Sequence, residues 1–280
     1  MVSLDNEFTI IQWNSLGIDL CDSNSFPMIP TELLSWDYRK VLFKSIFEQN
    51  KVDLICLEEV DKLNEYEKIF SAIGYNYNSV YYQKNGLNQR IGNAVFYNKE
   101  KLKLVKEYKF NFKDENGNDQ SQFCLISFFT LFNNKTICLI VTHLKSSYQF
   151  EQIRLKQIKQ ICEHLSSQEF LKIYSDELSC EGLILCGDFN SEPTHESINY
   201  LKNFKFIETK LSNAFEDANF TTFKIRDKEY IRVIDYIFYY NLGLINTNKL
   251  MTKAEIGSKG LPNESFPSDH LYLKANFKFF

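Results

Sequence analysis

The sequence predicts a single α/β domain in which strands outnumber helices. Short apolar segments of strand length recur from one end to the other, with two amphipathic helical stretches between them. No internal repeat, Pro-rich run or Gly-rich run divides the 280 residues, so one domain over 1–280 is expected. With 44% hydrophobic and 15% aromatic residues the chain can bury a large core, which argues against disorder.

The first expected strand is FTIIQW (8–13), followed by a helix from Trp36 to Gln49. Four β-branched and aromatic runs then follow in quick succession: VDLICLEE (52–59), YNYNSVYY (75–82), NAVFYN (93–98) and LKLVKEYKF (102–110). The polar stretch from Lys113 to Gln120 reads as a surface loop before FCLISFFTLF (123–132) and TICLIVTHL (136–144). A second helix is expected from Gln149 to Leu165, where Ile153, Ile158, Ile161 and Leu165 keep helical spacing. GLILCGDFN (182–190), a surface loop from Leu211 to Asn219, RVIDYIFYY (232–240) and LYLKANFKF (271–279) complete the pattern.

A formal net charge of -4 gives no global reason to hold a long nucleic-acid duplex, so an anionic substrate must be held locally. The seven cysteines form no CxxC pair and read as reduced core residues. The first residues, MVSLDNEFTI, lack a basic segment followed by an apolar one, and no apolar run reaches membrane-spanning length. A cytoplasmic or nuclear location without membrane contact is the resulting expectation.

Polar residues stand where buried strands end. Asn14 closes the first strand, Glu58 and Glu59 close LICLEE, and His143 follows LIVT. Asp188 and Asn190 close LILCGDFN, Asp235 sits within RVIDYIFYY, and Asp269 with His270 precedes the last strand. An unpaired buried charge is costly, so such residues make sense where a strand end opens into a site. Each also has an ordinary reading. Asn14 can be a strand-end residue, Glu59 a helix N-terminal acid, Asp188 and Asn190 turn residues, His143 a core histidine and Asp269 a cap. Asp235 is the hardest to explain so, because a carboxylate between Ile234 and Tyr236 needs a donor, which His270 could supply.

These residue types suit phosphate-ester chemistry. Magnesium takes oxygen ligands and keeps waters, so one or two carboxylates beside substrate oxygens suffice, and Glu59 is the first candidate. A phosphate ester also needs an activated water and donors for charge developing on the phosphoryl oxygens. Asp188, the asparagines and the histidines can fill those roles. A histidine held cationic by a buried aspartate is a strong phosphate partner, the logic of Asp235 with His270. His164 and His195 lie outside the pattern.

Taken in order, WN, LEEVD, THLK, GDFNSEP, IDYIFY and PSDHL resemble the endonuclease/exonuclease/phosphatase superfamily over nearly the whole chain. The resemblance implies a four-layered α/β sandwich, two mostly antiparallel β-sheets flanked by helices. It implies a hydrolase using Mg2+, with Mn2+ as alternative. Glu59 would be the principal ligand, with Asn14 and Asp269 near the metal. Asp188 would orient or deprotonate the attacking water and Asn190 would hydrogen-bond the phosphate. His270, paired to Asp235, would contact the scissile phosphate, and His143 would add a further contact.

Within the superfamily, LLSWDYRKVLFKSIFEQNKVDLICLEEVD is similar to the deadenylase branch. TTFKIR, IRVIDYIFYY and MTKAEIGSKGLPNESFPSDHLYL are similar to its nocturnin-like group, whose members remove the 2′-phosphate of NADP(H). That similarity makes Lys84 and Lys145 substrate-phosphate holders, with Arg154 assisting. The group carries an arginine where this chain has Ser147, and Arg90 is the candidate to restore that charge. Its Asp-Gly pair before a strand is replaced here by Arg90-Ile91-Gly92-Asn93. The expected partner is a small phosphorylated dinucleotide or, for a 3′-exoribonuclease of the deadenylase kind, an RNA 3′ end. The RNA reading asks for stacking aromatics, with Tyr81, Tyr82, Tyr148 and Phe223 as candidates. An inactive partner-binding scaffold is the third reading, opposed by the retention of every core polar residue.

Overall fold

The computed structural model describes residues 6–84 and 91–280. The first half of the chain runs β1 (Glu7–Asn14), α1 (Thr31–Leu34), α2 (Trp36–Gln49), β2 (Leu54–Val60), α3 (Leu63–Ala72), β3 (Tyr77–Gln83), β4 (Gly92–Asn98), β5 (Leu102–Lys113), β6 (Asp119–Leu131) and β7 (Thr136–His143). Then follow α4 (Glu151–Leu165), α5 (Gln168–Leu171), β8 (Gly182–Asp188), α6 (Glu196–Asn203), β9 (Lys205–Phe206), β10 (Thr209–Lys210) and β11 (Ser212–Asn213). The last stretch holds β12 (Thr222–Ile225), β13 (Glu229–Arg232), β14 (Asp235–Tyr240), β15 (Gly243–Thr247), α7 (Lys253–Ile256) and β16 (Leu273–Lys278).

Two six-stranded sheets form, in the orders β15-β16-β1-β2-β4-β3 and β11-β14-β8-β7-β6-β5. Each contains one parallel pair, β1 with β2 and β7 with β8, and is otherwise antiparallel. Ile10, Cys56 and Val95 from the first sheet meet Leu139, Ile184 and Ile237 from the second in the central core. On the outer faces, Phe43, Phe47, Tyr66 and Phe70 of α2 and α3 cover Trp13 and Phe96, and Ile158, Ile161 and Leu165 of α4 cover Ile140 and Leu185. The expected four layers are present. Central strands are apolar on both sides because both sides are covered, which is why β7 and β8 read as unbroken apolar runs.

Some boundaries differ from the sequence reading. Helix α4 starts at Glu151, because Tyr148–Phe150 forms a 3₁₀ turn after Ser147, whose φ is +80°. RVIDYIFYY breaks in two, β13 ending at Arg232 and β14 starting at Asp235. There the Thr221 hydroxyl accepts the amides of Ile234 and Asp235 at 3.0 and 3.1 Å. The loop expected from Lys113 to Gln120 shrinks to a turn between β5 and β6, capped by Asp114. The stretch from Leu211 to Asn219 is not all surface, since Leu211 and Phe215 enter the two cores.

Candidate active site

Strand register gathers the centre of the site. Parallel pairing sets His143 of β7 opposite Asp188 of β8, and antiparallel pairing sets Asp235 of β14 opposite the same Asp188. On the facing sheet, Asn14 lies opposite Glu58. Gly187 permits this close approach: at φ +141° its added Cβ would stand 1.9 Å from the Thr142 carbonyl oxygen. The β2–β4 register shifts between Leu57 and Val60, and Glu59 lies in the left-handed region at φ +57°. This bulge separates two consecutive glutamates, Glu58 between the sheets and Glu59 on the cleft floor. The cleft holds about 400 Å³, and Glu59, His143, Asp188, Asn190, Asp269 and His270 line its floor.

Asn14 ties two carboxylates together, its Nδ2 donating to Glu59 Oε1 at 3.1 Å and to Asp188 Oδ2 at 3.0 Å. Its Oδ1 accepts the Leu16 amide at 3.0 Å, so Asn14 offers the floor its nitrogen and steadies the carboxylates. Glu59 Oε2 accepts the Gly17 amide at 3.1 Å. Asp188 Oδ1 accepts the Asn190 amide at 2.8 Å, and Asn190 donates Nδ2 to the Leu144 carbonyl at 3.1 Å. Burial, reinforced by Asp235 and opposed by His270, raises Asp188 to a pKa of about 6.

The two histidines take opposite states. His270 Nδ1 faces Asp235 Oδ2 at 2.9 Å, and that carboxylate also accepts Thr221 Oγ1 at 2.6 Å. Burial works against the imidazolium, but Asp235, Asp269 and Asp188 outweigh it and hold its pKa up at about 10. His143 is pushed well below the ordinary histidine range by burial, by Lys84 and by His270. Lys84 Nζ lies 3.3 Å from His143 Nδ1. An ammonium only donates, so Nδ1 accepts, and the proton of the neutral ring sits on Nε2. That atom lies 3.6 Å from Asp188 and 3.9 Å from Glu59. Asp269 bonds Lys224 Nζ at 2.6 Å; although burial opposes its charge, Lys224 and His270 hold it down at about 2.

The donor set fits a hard divalent cation. Glu59, Asp188 and Asp269 bring carboxylate oxygens to one floor, the chemistry that magnesium and manganese take. The tighter group of Asp188, Asp235 and His270 fits such an ion less well, because His270 and Asp235 occupy each other's facing atoms.

The remaining basic candidates separate. Lys84 stands beside His143, and Lys145 is near enough to repel it. Lys145 Nζ lies over the Phe150 ring, 4.9 Å from its centroid. Arg154 corrects the sequence reading: it is wholly buried, so it does not face a substrate. Its guanidinium donates to Ser191 at 2.7 Å and to the carbonyls of Lys145, Ser147 and Tyr148 at 2.9, 2.7 and 3.4 Å, fixing the loop beside the cleft. Arg90 lies outside the described residues. Of the stacking candidates, Phe223 is fully buried in the core, while Tyr148 is 74% exposed at the cleft.

Sequence reasoning passed over several neighbours. Gln12 donates to Glu58 at 2.9 Å behind the floor, and its signal was a lone amide inside IIQW. Burial, helped by Cys186 and Asp235, raises Glu58 well above the usual carboxylate range, which favours its neutral form. Thr221, Lys224 and Arg232 reach the site from β12, β13 and their flanks. An isolated bridge between Thr222 and His270 fixes that hairpin to the floor.

The family model described as Endonuclease/Exonuclease/phosphatase family matches residues 11–270, and the chain belongs to that family. It is 30% identical to Nocturnin of Xenopus laevis over 97% of this chain and 72% of that protein. It is 28% identical to Nocturnin of Homo sapiens, covering 96% of this chain and 65% of that one. The CCR4-Not complex 3′-5′-exoribonuclease subunit Ccr4 of Kluyveromyces lactis is 25% identical, over 98% of this chain and 41% of its own length. The human Nocturnin catalytic domain with bound sulfate shares the fold at a TM-score of 0.76 and 22% identity, covering 98% of this chain and 95% of that one. ANGEL2, a 2′,3′-cyclic phosphatase, shares it at 0.82 and 21% identity, covering 97% and 95%. The chain is a phosphoric ester hydrolase of this family, whose enzymes depend on divalent metals.

Proposed function

We propose that this hydrolase is a nocturnin-like phosphatase that removes the 2′-phosphate of NADP(H), using magnesium or manganese. The observation that carries the reading is the cleft of about 400 Å³ itself, with acids and two differently charged histidines on its floor and Lys224, Arg226 and Arg232 around it. A small substrate with several phosphates suits that confined, locally basic rim on a chain of net charge -4. The motif resemblance to the nocturnin-like group adds to it.

In this reading Glu59 is the principal ligand of the cation, with Asp269 and Asn14 beside it. When bound, the cation neutralises phosphoryl oxygens and acidifies water. Asp188, ionised above about pH 6, orients the attacking water and takes its proton. His270, cationic until about pH 10, donates Nε2–H to a phosphoryl oxygen while Asp235 holds Nδ1. Neutral His143 donates Nε2–H to a second oxygen, and Asn190 offers its other amide hydrogen. Lys84 and Lys145 hold substrate phosphate from the His143 side.

The exposed Tyr148 favours a second reading, a 3′-exoribonuclease that stacks a terminal base there. Phosphate release from NADP and NADPH with magnesium, set beside shortening of an oligo(A) RNA by the same preparation, separates the two. Phosphate release without shortening is expected. Shortening without phosphate release would transfer the chain to the RNA reading.

A further inference from the structure

We propose that Arg232 binds a second, non-scissile phosphate of a nucleotide substrate, between β13 and the loop from Lys145 to Tyr148. The inference deepens the function proposed above and rests on it for the class of substrate.

The cations around the cleft are not equivalent. Lys224 is neutralised by Asp269 at 2.6 Å, and Arg226 donates Nε to the Ser25 carbonyl at 2.9 Å. Arg154 is committed to the loop carbonyls. Arg232 also lines the cleft, yet its Nε is buried and, among the described residues, has no hydrogen-bond partner. That nitrogen is sealed from water, so nothing answers the guanidinium charge from the protein side, and an anion in the cleft would answer it from the terminal nitrogens.

Its position relative to the floor is set by backbone. Arg232 pairs with Thr222, which bridges to His270, and the Arg232 carbonyl accepts the Thr221 amide at 2.8 Å. Two strand spacings, ~10 Å, therefore separate the backbones of His270 and Arg232. An arginine side chain and a sugar span that distance, so a nucleotide can place one phosphate at His270 and another at Arg232. The opposite wall is the loop that Arg154 fixes, with exposed Ser146, Ser147 and Tyr148 facing the cleft. This part of the cleft sets the Arg232 guanidinium opposite hydroxyls and one flat ring, while Arg154 is paired with Glu151 at 3.1 Å.

The test measures binding of adenosine 2′,5′-bisphosphate and adenosine 2′-monophosphate by calorimetry, with magnesium, in an Asp188→Asn background that suppresses turnover. The bisphosphate is expected to bind at least about tenfold tighter, a ratio typical of one good charge-assisted contact. Adding Arg232→Gln should collapse that ratio to within about twofold of unity, and Arg232→Lys should keep an intermediate ratio because point charge survives without the planar fork. An unchanged ratio, equal weakening of both ligands, or no preference in the background chain would overturn the assignment. Phosphate release from NADP by the unmodified enzyme is scored separately. A failure there removes the 2′-phosphatase reading while the binding ratio still decides the role of Arg232.

Discussion

Floor and rim of the cleft are built on different principles. On the floor each charged or polar group is answered by another: His270 by Asp235, Asp269 by Lys224, Asp188 by Asn14 and the Asn190 amide. Asn14, Asp188 and Asp235 stand at the ends of paired strands, where register fixes their spacing, and an isolated bridge to Thr222 holds His270 against them. The rim is carried by a hairpin and a loop, and there Arg232 Nε is left without an acceptor. Mutual satisfaction holds protonation states constant for chemistry, whereas unsatisfied charge is what a variable substrate can complete.

Breaking the floor should cost most. His270→Ala is expected to reduce kcat by roughly three orders of magnitude, in line with ~3–4 kcal/mol for one lost transition-state donor, with the circular dichroism spectrum unchanged. Phosphate release near the wild-type rate would remove His270 from the chemistry. Asp235→Asn sharpens the same point through pH. In the wild type the rate should fall as pH rises through about 10, where the imidazolium deprotonates, and the substitution should move that limb down toward an ordinary histidine value. An unmoved limb would show that Asp235 does not govern His270.

At the seam between floor and rim, Arg154→Ala leaves three loop carbonyls and Glu151 without that donor. A loss of roughly 3 kcal/mol of stability is expected from the carbonyls left unpaired, since half-buried Glu151 keeps Ser191 and Ser197 as donors, together with a higher KM. A stability change under about 1 kcal/mol would mean that the loop holds without it. On the rim, Lys145→Ala should raise KM more than it lowers kcat, because a distal phosphate contact is equally present in ground and transition states. An unchanged KM would take Lys145 out of the substrate site.

The smallest effect is expected behind the floor. Glu58 carries a raised pKa in the fold, so its contribution is fully present below the ordinary glutamate range and is lost as pH rises through the folded value. Glu58→Gln, neutral at every pH, should therefore leave stability within ~1 kcal/mol below the ordinary glutamate range and remove the decline that sets in above it and runs up to the folded value. A steep loss at neutral pH would mean that the carboxylate is ionised.

The same division explains what could be read from sequence. Apolar runs flanked by turns located all ten expected strands, and polar residues at their ends marked the floor, because a buried strand tolerates such residues only where it opens. Of two adjacent glutamates, alternation puts one on each side of the sheet, but the bulge at Leu57–Val60 decides what each meets, and that depends on pairing with β4. The rim was less legible for a physical reason. Arg232 and Lys224 join the site through a bridge from Thr222 to His270, a contact across 48 positions that no local pattern records. Arg154 looked like a substrate cation because the sequence shows a charge on a helix after THLK, while the carbonyls that claim it exist only once the loop folds.

Glu59 is where the account can be tested most directly. Phosphate release should be measured with added magnesium, with manganese and with chelator, for the wild type and Glu59→Ala, alongside thermal melts in the same buffers. The wild type is expected to need the cation, and Glu59→Ala to melt near the wild-type temperature yet lose roughly a thousandfold or more in rate even at high magnesium. Near-normal, metal-supported phosphate release by Glu59→Ala would contradict the assignment of this floor as the metal-dependent centre.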